Sequence, residues 1–321
     1  MDRTGIADLF VIGGGINGCG IARDATGRGL TVALAEKSDL AAATSSASTK
    51  LFHGGLRYLE HYDFMLVRKA LKERERLWAA APHIIWPLRF ILPHHEGLRP
   101  KWLLRLGLAL YDHLGGRKRL PATAKRSLTT GSLKGILKEG FRTGYEYSDC
   151  WVDDARLVVA CALDAAERGA QIVTGACVTK LDRAQDGWHV RGQYRDRASQ
   201  TPTAQPFLVR AKAVVNAAGC HADVLDARVR THTGDLDSLG PDGKDAKDGK
   251  GARDSKAKHK AHAGAAGKGM RFSGAVHAPS LRLVRGSHII VPRLYEAEQA
   301  FIFQNADGRI VFAIPYEEAF T

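Results

Sequence analysis

Gly13-Gly14-Gly15-Ile16-Asn17-Gly18 is a complete G-x-G-x-x-G, and Glu36 follows it at the distance of a ribose-binding acid. Together these residues are equipped to hold a dinucleotide. Gly13 permits a tight turn, Gly15 lets backbone approach a pyrophosphate, and Gly18 lets a helix pack closely on a strand. A helix starting there turns unpaired N–H groups and its positive dipole end toward phosphate. The Glu36 carboxylate accepts hydrogen bonds from ribose hydroxyls and repels a 2′-phosphate, which selects FAD or NAD.

The elements that must position this chemistry are legible around it. An apolar strand over 7–12 runs into the glycines, a helix follows to about residue 28, and a second strand over 31–35 ends at Glu36. The next stretch, 39–50, is small and rich in hydroxyls. Its composition suits either a segment wrapped around a ligand or a solvated linker. His53-Gly54-Gly55-Leu56-Arg57-Tyr58 precedes a predicted helix over 64–81. That helix shows an apolar stripe of Leu66, Ala70 and Leu77 and a solvated charged face of Lys69, Lys72, Glu73, Arg74, Glu75 and Arg76. Further on, Asp153 or Asp154 caps a helix over 155–168 that stops at Gly169. Strands are expected over 171–181, 188–194, 207–209 and 213–219.

A chain of 321 residues, 45% hydrophobic and 25% charged, has the composition of a globular protein with one large or two medium domains. The net charge of +13 favours acidic partners. The signatures of nucleic-acid readers are missing, so no nucleic acid is expected. Cys19, Cys150, Cys161, Cys177 and Cys220 are widely spaced with no C-x-x-C pair, pointing to reduced thiols in the cytosol and to no metal site. The first strand starts too near Met1 for a signal peptide, and no apolar run reaches the ~18–20 residues of a membrane span. Between 86 and 120, Trp102, Leu103, Leu104 and Leu106 lie among Arg99, Lys101, Arg105 and Arg119. That pattern suits an interfacial helix on anionic lipid or a buried helix, and both readings stay open.

Several segments also resemble a known family. Gly13 to Gly18, Thr44-Ser45-Ser46-Ala47-Ser48-Thr49-Lys50, His53-Gly54-Gly55-Leu56-Arg57-Tyr58-Leu59-Glu60 and Glu146-Tyr147-Ser148-Asp149-Cys150-Trp151-Val152-Asp153-Asp154-Ala155-Arg156 are similar to the FAD-dependent, aerobic, quinone-reducing glycerol-3-phosphate dehydrogenases. Arg285-Gly286-Ser287-His288 and Ile310-Val311-Phe312-Ala313-Ile314-Pro315 fit the same family. The resemblance implies an α/β fold, with a glutathione-reductase-like FAD-binding domain of Rossmann-type βαβ design and an inserted α+β substrate domain. The first part of the FAD domain would span 1–80, a mixed helical segment on the substrate and membrane side 81–150, and the second part of the FAD domain 151–220. A disordered insertion would span 221–275 and incomplete substrate-domain strands 276–321.

The resemblance further implies FAD as cofactor and sn-glycerol 3-phosphate as substrate, oxidised to dihydroxyacetone phosphate with electrons passed to a membrane quinone. The location implied is cytoplasmic, peripheral on the anionic inner face of the membrane; a homodimer stays open. Cofactor contacts fall on Gly13, Gly14, Gly15, Ile16, Asn17, Gly18, Glu36, Lys37, Thr44, Ser45, Ser46, Ser48, Lys50, His53, Gly54, Gly55, Val178, Ala218 and Gly219. Arg57 and Tyr58 become ligands of the substrate phosphate or oxygens, His288 the candidate base, and Arg285 a further cation for the phosphate.

The pattern departs from the family in three places. The 232–271 stretch has almost no large apolar residue. Ala218-Gly219-Cys220-His221 stands where the family has threonine, then proline and tryptophan. The chain ends at Thr321, short of the family's usual length, so a truncated form with weak flavin retention is expected. Two other readings remain: a flavin oxidase of the same fold acting on an amine or hydroxy acid, and a non-catalytic nucleotide-binding fragment.

Overall fold

Strand β1 (Ala7–Ile12) has a neighbour on each side and buries Phe10 and Val11 completely, which accounts for its apolar run from Leu9 to Ile12. It pairs in parallel with β2 (Val32–Ala35) and β10 (Pro202–Asn216), and β2 pairs in parallel with β7 (Gln171–Val173). Beyond β10 the sheet becomes antiparallel through β9 (Gly187–Arg195) and β8 (Ala176–Ala184), giving the order β7-β2-β1-β10-β9-β8. This is a computed structural model, and it describes residues 5–116, 119–196, 198–223, 286–305 and 307–321. The expected insertion, apart from 221–223, and Arg285 lie outside the described residues.

Alternate residues of β1 face opposite sides of the sheet. Val11 packs with Cys19, Ala22 and Ala25 of helix α1 (Ile16–Gly27) and with Val158 and Ala162 of helix α4 (Asp154–Glu167). Phe10 and Ile12 pack with Val178, Leu181, Val190 and Phe207, so the antiparallel strands curl back over the other face. The two strands expected over 207–219 are one 15-residue strand, β10. The strand expected over 171–181 is broken at Gly175, whose φ is +66°.

A second sheet is built largely from 81–150, around β4 (Ile85–His94) and β6 (Thr143–Val152). Its order is β12 (Ile310–Ala313), β11 (Ala300–Gln304), β4, β6, β3 (Leu51–Phe52), with β5 (Ala124–Ser127) also on β6. Helices α2 (Phe64–Ala80) and α3 (Lys101–Leu114) cover one face, where Val67, Leu71, Leu108 and Tyr111 meet Phe90, Leu92, Tyr145 and Tyr147.

The buried stripe of α2 differs from the expected one. It runs through Val67, Leu71 and Arg74, while Leu66 is 50% exposed. Arg74, expected on the solvated face, is buried because it stands opposite a buried acid on β6.

Candidate functional site

The glycine turn closes on itself through backbone bonds. Gly13 has φ +112° and donates its N–H to Ala35 O at 2.9 Å; Ala217 N donates to Ile12 O at 2.9 Å. A Cβ on Gly13 would meet Ala217 O at 2.5 Å, so the turn after β1 lies directly against the chain that leaves β10 for Ala218 and Gly219. A Cβ on Gly18 would run into the carbonyl group of Gly13, with its carbon at 3.0 Å; bare glycine there is what lets α1 sit down on the turn. Gly15, the extended residue that begins α1, is different. Only Ser45 Oγ, at 3.1 Å, lies within 4 Å of the position a Cβ would take. Backbone is therefore open to a ligand where a pyrophosphate is expected, and the cradle fits that group.

Glu36 directly follows β2, with its side chain turned back to the glycines. Its Oε2 accepts from Gly14 N at 2.6 Å and its Oε1 from Ser38 N at 2.8 Å. Each oxygen keeps a further lone pair for a ribose hydroxyl. Ala176 N donates to Glu36 O at 2.8 Å, which brings the start of β8, with buried Val178, beside the acid. Ser45 Oγ accepts from Ile16 N at 3.0 Å, so the hydroxyl segment folds over the start of α1. Asn17, Lys37, Thr44 and Ser46 are exposed around the same rim.

Ser48 and Lys50 are engaged by Asp154, which the sequence offers as an alternative helix cap and within the family-like 146–156 segment. Asp153 is the cap, accepting from Arg156 N at 3.3 Å. Asp154 is thereby free to accept from Ser48 Oγ at 2.7 Å and from Lys50 Nζ at 2.5 Å. Burial works to raise the Asp154 carboxyl, but Lys50 and Ser48 hold it below the usual aspartate range. Lys50 sits at φ +55°, an unfavourable conformation for a side chain with a Cβ, and the ion pair anchors it there.

His53, Arg57 and Tyr58 are exposed on a short turn whose start, Gly54-Gly55, is buried. Gly55 is left-handed at φ +71°, and the Tyr58 ring lies over it. Gly54 N donates to Tyr111 Oη at 2.6 Å, and Tyr111 Oη donates to Asp149 Oδ1 at 2.8 Å. Arg74 Nη1 donates to the same Asp149 oxygen at 2.6 Å and to Ser148 O at 2.8 Å. Burial pushes the Asp149 carboxyl above its ordinary range, against the pull of Arg74, His53 and Tyr111. This network was missed. Its traces in sequence are Gly54 within the His53–Glu60 motif and Asp149 within the family-like 146–156 segment.

The predicted residues thus fall into two neighbourhoods joined through 44–55: the nucleotide turn with Glu36, Ser45 and Val178, and the His53–Tyr58 edge. His288 is exposed on 286–290 and shares no hydrogen bond with Arg57 or Tyr58. Among the described residues no group of His, Cys, Asp and Glu is suited to hold a metal ion.

Comparison with known proteins places this geometry in context. Residues 8–238 match the family model described as FAD dependent oxidoreductase. The chain is 48% identical over 317 residues to D-erythritol 1-phosphate dehydrogenase of Brucella abortus, covering 99% of this chain and 53% of that protein. It is 47% identical to glycerol-3-phosphate dehydrogenase of Pseudomonas aeruginosa, covering 98% of this chain and 51% of the relative. The structure of glycerol-3-phosphate dehydrogenase from Bacillus halodurans complexed with FAD superposes with a TM-score of 0.57 at 25% identity, covering 99% of this chain and 48% of that one. The chain spans about half the length of the curated relatives it matches.

Proposed function

Because the chain belongs to the FAD-dependent oxidoreductase family, we propose that it supplies the dinucleotide cradle and substrate edge of an enzyme oxidising sn-glycerol 3-phosphate to dihydroxyacetone phosphate. The observation that carries this reading is the open Gly15 backbone, framed by Glu36 and Ser45, in a chain 47% identical to a glycerol-3-phosphate dehydrogenase. Bound FAD supplies the two-electron acceptor that oxidation of a secondary alcohol requires. Gly13, Gly14 and Gly15 and the start of α1 would hold its pyrophosphate, Glu36 would hold the adenosine ribose, and backbone at Val178 would meet the adenine.

Arg57 binds the substrate phosphate in paired hydrogen bonds, and Tyr58 orients the substrate oxygens. Holding the alcohol on a fixed turn supplies the proximity the reaction needs. His288 takes the hydroxyl proton, and Arg285, outside the described residues, is the further cation for the phosphate.

Electrons pass on to a membrane quinone. In support, α3 exposes Trp102, Leu106 and Leu110 beside Lys101 and Arg105, the neighbouring start of α2 exposes Met65 and Leu66, and Tyr62 just before it is exposed too. Apolar residues flanked by cations suit an anionic lipid surface. No described helix is long and apolar enough to cross a membrane. Flotation with anionic liposomes should lose the chain when Trp102, Leu103 and Leu106 are made polar; unchanged flotation of a folded variant would refute this surface.

A second reading of the substrate is D-erythritol 1-phosphate, favoured by the 48% identity to the Brucella abortus enzyme. Both substrates present a phosphate and a secondary alcohol, so the same Arg57 edge would serve. The deciding experiment is anaerobic bleaching of the FAD-loaded protein by glycerol 3-phosphate, D-erythritol 1-phosphate and amino acids in parallel. Bleaching by a polyol phosphate supports the reading; bleaching by amino acids alone overturns it.

A further inference from the structure

We propose that Tyr111 is a positioning residue for substrate: held by Asp149 and Arg74, its hydroxyl fixes the Gly54 amide and with it the Arg57-Tyr58 edge. The inference rests on reading Arg57 and Tyr58 as substrate ligands.

A buried N–H needs an acceptor, and the Gly54 N–H finds its short one, at 2.6 Å, on Tyr111 of α3, with Asp149 Oδ1 a longer second acceptor at 3.4 Å. The Tyr111 hydroxyl has a single proton and gives it to Asp149 Oδ1, which turns its lone pairs toward Gly54. Asp149 on β6 is in turn held by Arg74 from α2, at 5% and 4% side-chain exposure. Three elements therefore converge on one backbone amide.

The turn has little room to slip. A Cβ on Gly54 would meet the Leu71 side chain and Tyr111 Oη, the latter at 2.7 Å. From Gly54 onward the geometry passes rigidly to the exposed pair. Tyr58 N donates to Gly55 O at 2.8 Å, Asp63 N donates to Tyr58 O at 3.1 Å, and Leu56–His61 form a 3-10 turn.

A buried Arg–Asp pair is a poor way to gain stability, because desolvating both charges consumes most of their attraction. Apolar side chains would fill this core as well. What they would lack is a directed acceptor for Gly54. The network is thus better explained by where it puts the turn than by how strongly it holds the core.

The test uses the whole chain with Tyr111→Phe, which removes one oxygen and keeps the ring. Tyr147→Phe is the control: a neighbouring buried tyrosine, edge-on to Tyr111 at 6.0 Å between ring centres. Four readouts are needed: the thermal midpoint, residue-resolved hydrogen exchange, FAD titration, and the change in bound-flavin absorbance as glycerol 3-phosphate is added. For Tyr111→Phe, exchange at Gly54 to Tyr58 should quicken about tenfold and the half-saturating glycerol 3-phosphate concentration should rise about tenfold, as for loss of one buried acceptor. FAD affinity should barely move, the midpoint should fall by about 2–4 °C, the global counterpart of a tenfold local change, and Tyr147→Phe should change none of the four. Unchanged exchange at Gly54 to Tyr58 would overturn the proposal. So would a glycerol 3-phosphate response that Tyr147→Phe alters equally, or one that falls only in step with FAD affinity. If the unaltered chain with FAD bound shows no response to glycerol 3-phosphate, the substrate reading of Arg57 and Tyr58 fails, and the exchange data alone decide whether Tyr111 fixes the turn.

Discussion

Three glycines within six residues should respond to the same mutation in three different ways. At Gly18→Ala the new methyl would run into backbone, the carbonyl group of Gly13 with its carbon at 3.0 Å. Neither atom is the tip of a flexible side chain, so α1 has to lift from β1. Forced overpacking of this kind costs about 1–3 kcal/mol or more, and Val11, Cys19 and Ala22 would lose packing at the same time. At Gly20→Ala nothing lies within 4 Å of the methyl, and the residue is inside helix α1. The gain is roughly 0.5–1 kcal/mol from helix propensity and a less flexible unfolded chain. At Gly15→Ala the sole neighbour within 4 Å is the Ser45 hydroxyl at 3.1 Å, and the extended backbone suits alanine, so stability should hardly change. The methyl instead occupies the space left for pyrophosphate, and FAD affinity should fall at least about tenfold, equivalent to roughly 1.4 kcal/mol. Denaturant unfolding and FAD titration of all three variants give the assay. Wild-type FAD affinity in Gly15→Ala would refute the cradle, and wild-type stability in Gly18→Ala would refute the close packing of α1 on the turn.

Other expectations follow from buried charges and thiols. Burial pushes the Cys19 and Cys150 thiols up to about 12, whereas Cys220 is exposed; maleimide at pH 8 should label Cys220 and reach the other two only on unfolding, and native labelling of Cys19 or Cys150 would contradict this. Arg74→Met leaves Asp149 buried without its cation and should cost about 3–5 kcal/mol in denaturant unfolding, most of it recovered when Asp149→Leu is added; a double variant no more stable than the single would count against the pairing. Asp154 has its carboxyl depressed on folding, so the stability it contributes is present above the ordinary aspartate value and is lost as pH falls through the folded one. The 44–50 segment should therefore keep its hydrogen-exchange protection down to about pH 4 and lose it below. Asp154→Asn should lose that protection at pH 7, and a variant as protected as the original would rule out the clamp.

What sequence reading could recover depended on how local the governing interaction was. Strand β1 was placed residue for residue at Ala7–Ile12, and α1 and β2 nearly so, because glycine geometry and apolar runs act over a few neighbours. Strand β6 was not read as a strand. Glu146, Ser148 and Asp149 suggest exposure, and they are buried only because Arg74, Arg89 and Arg126 arrive from other elements. Strand β4 was hidden by Pro87 and Pro93. They stand opposite Cys150 and Gly144 on β6, while β11 reaches β4 only at Phe90 and Ile91. Arg74 shows the same limit on α2: helical spacing places it with Val67 and Leu71, but its charge alone argued for solvent. The nucleotide turn and the His53–Tyr58 segment were visible as motifs. Asp154 and Tyr111, the residues that hold the two segments in place, act across more than fifty residues and carry no local mark.

The central claim is that the glycine turn of this chain binds the ADP end of FAD. It is tested most directly by titrating the purified chain with FAD, following quenching of flavin fluorescence, with ADP and 2′-phosphorylated ADP as competitors. Saturable FAD binding, displaced by ADP and far less by the 2′-phosphorylated form because of Glu36, is the predicted result. FAD that does not bind saturably, or that both competitors displace equally, would contradict it.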